Sequence, residues 1–234
     1  MIKKTIFTIG SLLLLSTTLF ASFNSLNNDV LTNNSSVTQK ELNTKKDFDK
    51  MITDLKQGAS LGDVNSLFYL GFIYFEGVEL KDGTKTKTDK EQAKELLNKA
   101  ISLGSKEAAA FLMAKSLELK DVEMMTKTTK SIQASSVPTM EKDYFSMMLA
   151  SFILDYNVSS ANSIEVAAKW LYEAEKKRPT PKMQLILAFM YQKLQNMDAA
   201  NFYLNKSCTH EEMKETCEQI KKLGSQDEQS CQKF

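Results

Sequence analysis

From residue 47 onward the apolar positions recur with a helical period almost without interruption. Residues 64–76, VNSLFYLGFIYFE, place Leu67, Leu70, Phe72, Ile73 and Phe75 about 3.6 residues apart in projection, which predicts an amphipathic helix. Asp89 followed by Gln92 reads as a capping box opening a helix through Ala93, Leu96, Leu97, Ala100 and Ile101. Gly104 sits just past it, where a helix ends in a left-handed residue. The same pattern predicts helices over 106–119, 121–135, 139–156, 163–177, 182–195, 197–207 and 210–223. Pro138, Pro179 and Pro181 fall between them. No run of alternating residues is left to form a strand, so the expected class is all-α.

The helices repeat. Ala93, Leu96, Leu97 and Ala100 reappear as Ala167, Trp170, Leu171 and Ala174, and again as Ala200, Tyr203, Leu204 and Ser207. The first of these steps leaves room for a diverged copy around 121–135, and a second register links Leu70, Gly71 and Tyr74 to Leu187, Ala188 and Tyr191. Small residues such as Gly71, Ala114 and Ala188 let helices approach closely. A helix pair of this kind buries its apolar face only by stacking on the next pair. The expected architecture is an α-solenoid of stacked antiparallel helix pairs.

Residues 59–103 resemble a Sel-one-like repeat, a family related to the tetratricopeptide repeats. The resemblance rests on Gly62, Leu70, Gly71, Tyr74, Gly77, Val78, Ala93, Leu97, Lys99, Ala100 and Gly104, with the second helix matched again at Ala167, Ala168, Trp170, Leu171 and Ala174. It extends over roughly 48–224, with one good copy and degenerate ones after it. It implies a right-handed superhelix of about four helix pairs and a surface for binding a protein or peptide.

Ahead of the solenoid, Lys3 and Lys4 precede an apolar run from Ile6 to Phe20 that ends in the small residue Ala21. A membrane span takes roughly 20 apolar residues, so residues 1–21 read as a secretory signal and the chain as periplasmic or secreted, with no span once the leader is removed. Residues 22–46 are rich in Asn, Ser and Thr and read as a disordered tether. The solenoid is expected over 47–224 and a polar tail over 225–234.

Composition narrows the function by exclusion. The 234-residue chain has a formal charge of +1, which becomes −1 when Lys3 and Lys4 leave with the leader. Interspersed Lys and Glu give no reason to bind nucleic acid or an anionic surface. One His and one Arg, Arg178, cannot supply a multi-histidine metal centre or a guanidinium clamp. No metal or cofactor is expected.

All three cysteines lie at the end, at 208, 217 and 231. Asn205-Lys206-Ser207-Cys208 aligns with Asn98-Lys99-Ala100-Ile101, and Cys217 falls on Ala109 or Ala110. Both cysteines therefore occupy an apolar helix–helix contact, and in an exported chain this favours a disulfide over two buried thiols. Thr209 with Glu212 is expected to cap the next helix, putting Cys217 two turns in. The Lys-Ser-Cys…Cys pattern is similar to the cysteine-rich branch of the same family, where such a pair clasps adjacent helices. Cys231 is the odd one, open to pairing between molecules. Cys208 and His210 lie close, but their spacing matches no zinc pattern.

The cysteine-rich branch also implies an alternative function, a β-lactam or cell-wall-peptide hydrolase. Ser230-Cys231-Gln232-Lys233 fits S-x-x-K, though with no S-D-N or K-T-G companion. His210 is expected on the surface, without a nucleophile in reach. The leading expectation is a non-catalytic protein- or peptide-binding scaffold; a secreted effector engaging envelope or host proteins is a further alternative. Five aromatics crowd residues 68–75, and one or two of Tyr69, Phe72 and Phe75 are expected to stand exposed as peptide anchors. The Lys-rich stretch 81–90 reads as a solvated insertion.

Overall fold

The computed structural model describes residues 45–80 and 83–220. Nine α-helices follow one another among them: α1 (Lys45–Ser60), α2 (Val64–Glu76), α3 (Lys90–Ser102), α4 (Lys106–Leu119), α5 (Val122–Ala134), α6 (Thr139–Asp155), α7 (Ala161–Lys177), α8 (Pro181–Lys193) and α9 (Met197–Cys208). A 3-10 turn, Glu211–Met213, leads into helical residues 214–220. The described residues contain no β-strand, and the chain is an all-α solenoid of consecutive helix pairs. Residues 1–44, which carry the expected leader and most of the tether, lie outside the described residues, as does the tail with Ser230, Cys231 and Lys233.

The chain divides into two compact units, with the division at Phe145/Ser146 inside α6. In the first unit α1 packs on α2, α2 on α3, α3 on both α4 and α5, and α4 on α5. In the second, α7 packs on α8 and α8 on α9.

One corner is used repeatedly. Gly62, Gly104, Lys120, Asn157 and Gln195 all have positive φ, at 81°, 100°, 53°, 47° and 61°. The N–H of the next residue reaches back five positions each time: Asp63 to Gly58 O, Ser105 to Ala100 O, Asp121 to Ser116 O, Val158 to Ile153 O and Asn196 to Tyr191 O, at 2.9–3.0 Å. This bond satisfies a carbonyl that the ending helix leaves open. Asp63, Ser105, Asp121 and Asn196 then cap the following helix, accepting from the N–H of Ser66, Ala108, Met124 and Ala199. One residue thus closes one helix and opens the next. The predicted left-handed Gly104 is among these corners. Lys120, Asn157 and Gln195 are not glycines, and sequence gave no sign of their conformation.

The repeating register is also a burial register. Ala93, Leu97 and Ala100 are fully buried with Leu96 partly so, and Ala167, Leu171 and Ala174 repeat this with Trp170 in the partly buried place. The third copy shifts by one, burying Tyr203 in place of Leu204. Leu70 and Gly71 are buried, as are Leu187 and Ala188, while Tyr74 and Tyr191 are half-buried. At Gly71 an added Cβ would lie 2.7 Å from Leu97 Cγ, so the glycine is what lets α2 and α3 meet. The diverged copy is α5, where buried Thr126 and Thr129 satisfy their hydroxyls on Val122 O (2.7 Å) and Met125 O (2.9 Å).

Three local readings change. Asp89 caps α3 by accepting from Gln92 N (3.0 Å), but the box is not closed, because the Asp89 N–H donates to Tyr74 O (2.8 Å). Thr209 does not cap the last helix; its Oγ1 donates to Lys206 O (2.8 Å) and so closes α9. The described part of the Lys-rich stretch is exposed as expected, yet it is pinned to the segment before it. Thr86 N bonds Val78 O, Val78 N bonds Thr86 Oγ1, and Leu80 N bonds Thr84 O, at 2.7–2.8 Å. This fold seats Leu80 against Phe48 and Ile73.

Candidate functional site

The expected anchors of α2 are largely spent on packing. Phe75 is 4% exposed, and its ring meets Phe111 of α4 edge-on, with centroids 5.4 Å apart. Phe72 is half-buried, lies 5.3 Å from the same ring, and also packs on the Phe48, Ile73 and Leu80 cluster. Tyr69 is half-buried beside Phe68 at 5.4 Å. Phe75 is therefore not an exposed anchor: α2 has a neighbour on each side, and a ring that looks surplus to one stripe belongs to the other. Burial of such a ring contributes roughly 1.5–3 kcal/mol. Phe111, the ring that organises this cluster, was not singled out from sequence; its only signal is the run Ala108-Ala109-Ala110-Phe111-Leu112-Met113.

An ion cluster edges the aromatic group. Lys115 Nζ lies 2.7 Å from both Glu76 and Glu118 and 5.9 Å from the Phe111 ring centroid. Burial acts to lower the Lys115 pKa, but the Glu118 and Glu76 carboxylates outweigh it and the net shift is upward.

A polar cleft of about 280 Å³ opens where α3, α4 and α5 meet, lined among others by Glu91, Lys94, Asn98, Asp121, Lys127 and Thr128. Its charges answer one another. Lys94 pairs with Glu91 and Lys127 with Glu123, both at 2.9 Å, and Asp121 is engaged by Met124 N (2.8 Å). Asn98 Nδ2 donates to Lys94 O (2.8 Å), which orients the amide; its Oδ1 is shielded from solvent and meets no donor. Such a site can hold a small polar group at its mouth, but no set of donors or acceptors converges on one point. Among the described residues no three His, Cys, Asp or Glu side chains gather as metal ligands.

The C-terminal unit holds a different kind of cluster. Cys208 and Cys217 are joined by a disulfide, with Cα atoms 5.8 Å apart. One residue earlier, Ser207 Oγ donates to Pro181 O at the start of α8 (2.8 Å). One earlier again, Lys206 Nζ lies 2.7 Å from Glu175 Oε1 on α7. Glu175 is 4% exposed and also accepts from Gln184 Nε2 at 3.0 Å. Tyr191 and Tyr203 stack beside them with centroids 5.6 Å apart. Burial first, and then the Glu175 charge, push the Tyr203 hydroxyl up to about 12. Glu175 and Gln184 carried no sequence signal, since each is one polar residue among many on helices. His210 is exposed, at the start of the 3-10 turn, and caps nothing with its side chain.

No protein-family model, no curated protein and no solved structure matches this chain.

Proposed function

We propose that the chain is an exported, non-catalytic helical-repeat scaffold that binds a protein or peptide, in the manner of the Sel-one-like repeats it resembles. The observation that carries this reading is the repetition itself. The same corner and the same burial register recur along the helices, an arrangement whose general use is to extend a surface. Polar clusters that in an enzyme would converge on a substrate are here engaged with one another, as in the α3–α5 cleft. The disulfide favours an oxidising compartment and so supports export.

Cross-linking and pull-down from the native envelope with the oxidised protein should recover a defined partner. Purified protein should not turn over a chromogenic β-lactam. Hydrolysis abolished by a single Ser or Lys substitution overturns the scaffold reading in favour of a hydrolase.

A further inference from the structure

Three consecutive residues of α9 fasten it in three directions. Lys206 reaches Glu175 on α7, Ser207 reaches Pro181 O at the head of α8, and Cys208 is bonded to Cys217 in 214–220. Successive side chains on a helix point about 100° apart, so the last turn of α9 is held around most of its circumference. The Glu175 carboxylate is nearly enclosed, and an enclosed carboxylate is tolerated only while its cation stays in place. Lys206 is 41% exposed, so its charge can be solvated without Glu175. What keeps it on Glu175 is therefore the position of the helix end that carries it. A helix end frays unless something fastens it. The network has little in reserve, because Gln184 Oε1 is itself buried without a donor.

We infer that the Cys208–Cys217 disulfide is a redox latch on this buried charge: opening it frees the last turn of α9, Lys206 leaves Glu175 for water, and α9 separates from α8. The chemistry requires a dithiol reductant. Two electrons pass to the Cys208–Cys217 bond, which breaks; each sulfur takes a proton; and the reductant's own two thiols close into a disulfide. In an oxidising compartment the end of the solenoid stays shut. In a reducing one the Tyr191–Tyr203 stack between α8 and α9 opens.

Hydrogen exchange on the full chain carrying Cys231→Ser, with and without dithiothreitol, tests this; the substitution keeps the third thiol from attacking the bond. Reduction should accelerate exchange over 200–208 about tenfold and leave α1 to α4 unchanged. In the Glu175→Gln background no charge is stranded, so reduction should accelerate the same segment by less than about threefold. Cys208→Ser with Cys217→Ser should reproduce the reduced state without reductant. If reduction loosens only 210–220, the disulfide is a local staple and the latch is wrong. Equal acceleration in wild type and Glu175→Gln overturns it as well, because the buried charge then plays no part.

Discussion

Both units have apolar cores, and they differ in what is added to them. Residues 45–145 add an aromatic cluster, in which Phe111 meets Phe72 and Phe75 in edge-type contacts, and a second apolar cluster of Phe48, Ile73 and Leu80. Residues 146–220 close their last three helices with a buried carboxylate, an amide, a lysine and a disulfide. Apolar packing degrades in proportion to the area lost, whereas a buried polar network fails when one partner leaves. Substitutions in the aromatic cluster should therefore cost stability in graded steps, and those in the Glu175 network in an abrupt one.

The largest effect is expected in the first unit. Phe111→Ala removes the ring shared by Phe72 and Phe75 and should cost about 3–5 kcal/mol, read as a lowered midpoint in chemical denaturation. A loss under about 1 kcal/mol would mean that the two α2 rings repack without it.

In the second unit the sharper comparison is a double-substitution cycle. Lys206→Met leaves Glu175 enclosed without its cation and should cost about 1–3 kcal/mol, discounted because the lysine is partly solvated. Adding Glu175→Gln should restore most of that loss. By contrast, removing the exposed Lys85–Glu79 pair of the first unit should cost less than about 0.5 kcal/mol.

Alkaline pH should test the surroundings of Tyr203 directly. Below about pH 10 Tyr203 is protonated folded or unfolded and contributes no pH dependence. Above it the unfolded chain ionises at the ordinary value of 10.0, while the folded protein holds the proton up to about 12. Unfolding is therefore favoured as pH rises through this window, by about 1–2 kcal/mol at its top. Burial also raises the Tyr144 and Tyr191 hydroxyls, so absorbance at 295 nm should show several late-ionising tyrosines, and Tyr203→Phe should remove the step near 12.

A further small effect should be the same in both units. Lys120 and Gln195 hold left-handed conformations at equivalent corners, so Lys120→Gly and Gln195→Gly should each stabilise by about 0.5–1 kcal/mol. A gain in one unit only would show that the corners are not equivalent.

Reading the chain alone recovered most of the local structure. Apolar spacing delimits 64–76 and 106–119 to the residue, and the structure adds the caps Asp63 and Ser105 immediately before them. The apolar pattern starts α7 at 163, two residues late, because Ala161-Asn162-Ser163 carries no large apolar side chain and the cap is Ser160 (Ser163 N to Ser160 Oγ, 3.4 Å). The repeat offset places Cys208 and Cys217 at one helix–helix contact, and they are the pair that the disulfide joins. The burial of Phe75 is not legible in the sequence. Whether Phe75 faces solvent or a neighbour depends on α4, some 30 residues later, and no pattern within α2 records it.

What the sequence by itself determined is the set of helices, most of their ends and the register in which they repeat, because these follow from bonds and spacings within a few residues. Which face of each helix meets which neighbour was decided only by tertiary packing. Phe75 turned inward because Phe111 stood opposite. Glu175 became a buried charge because α8 and α9 enclosed it and Lys206 arrived to neutralise it. Burial and pairing are properties of two surfaces at once, and one strip of sequence describes only one of them.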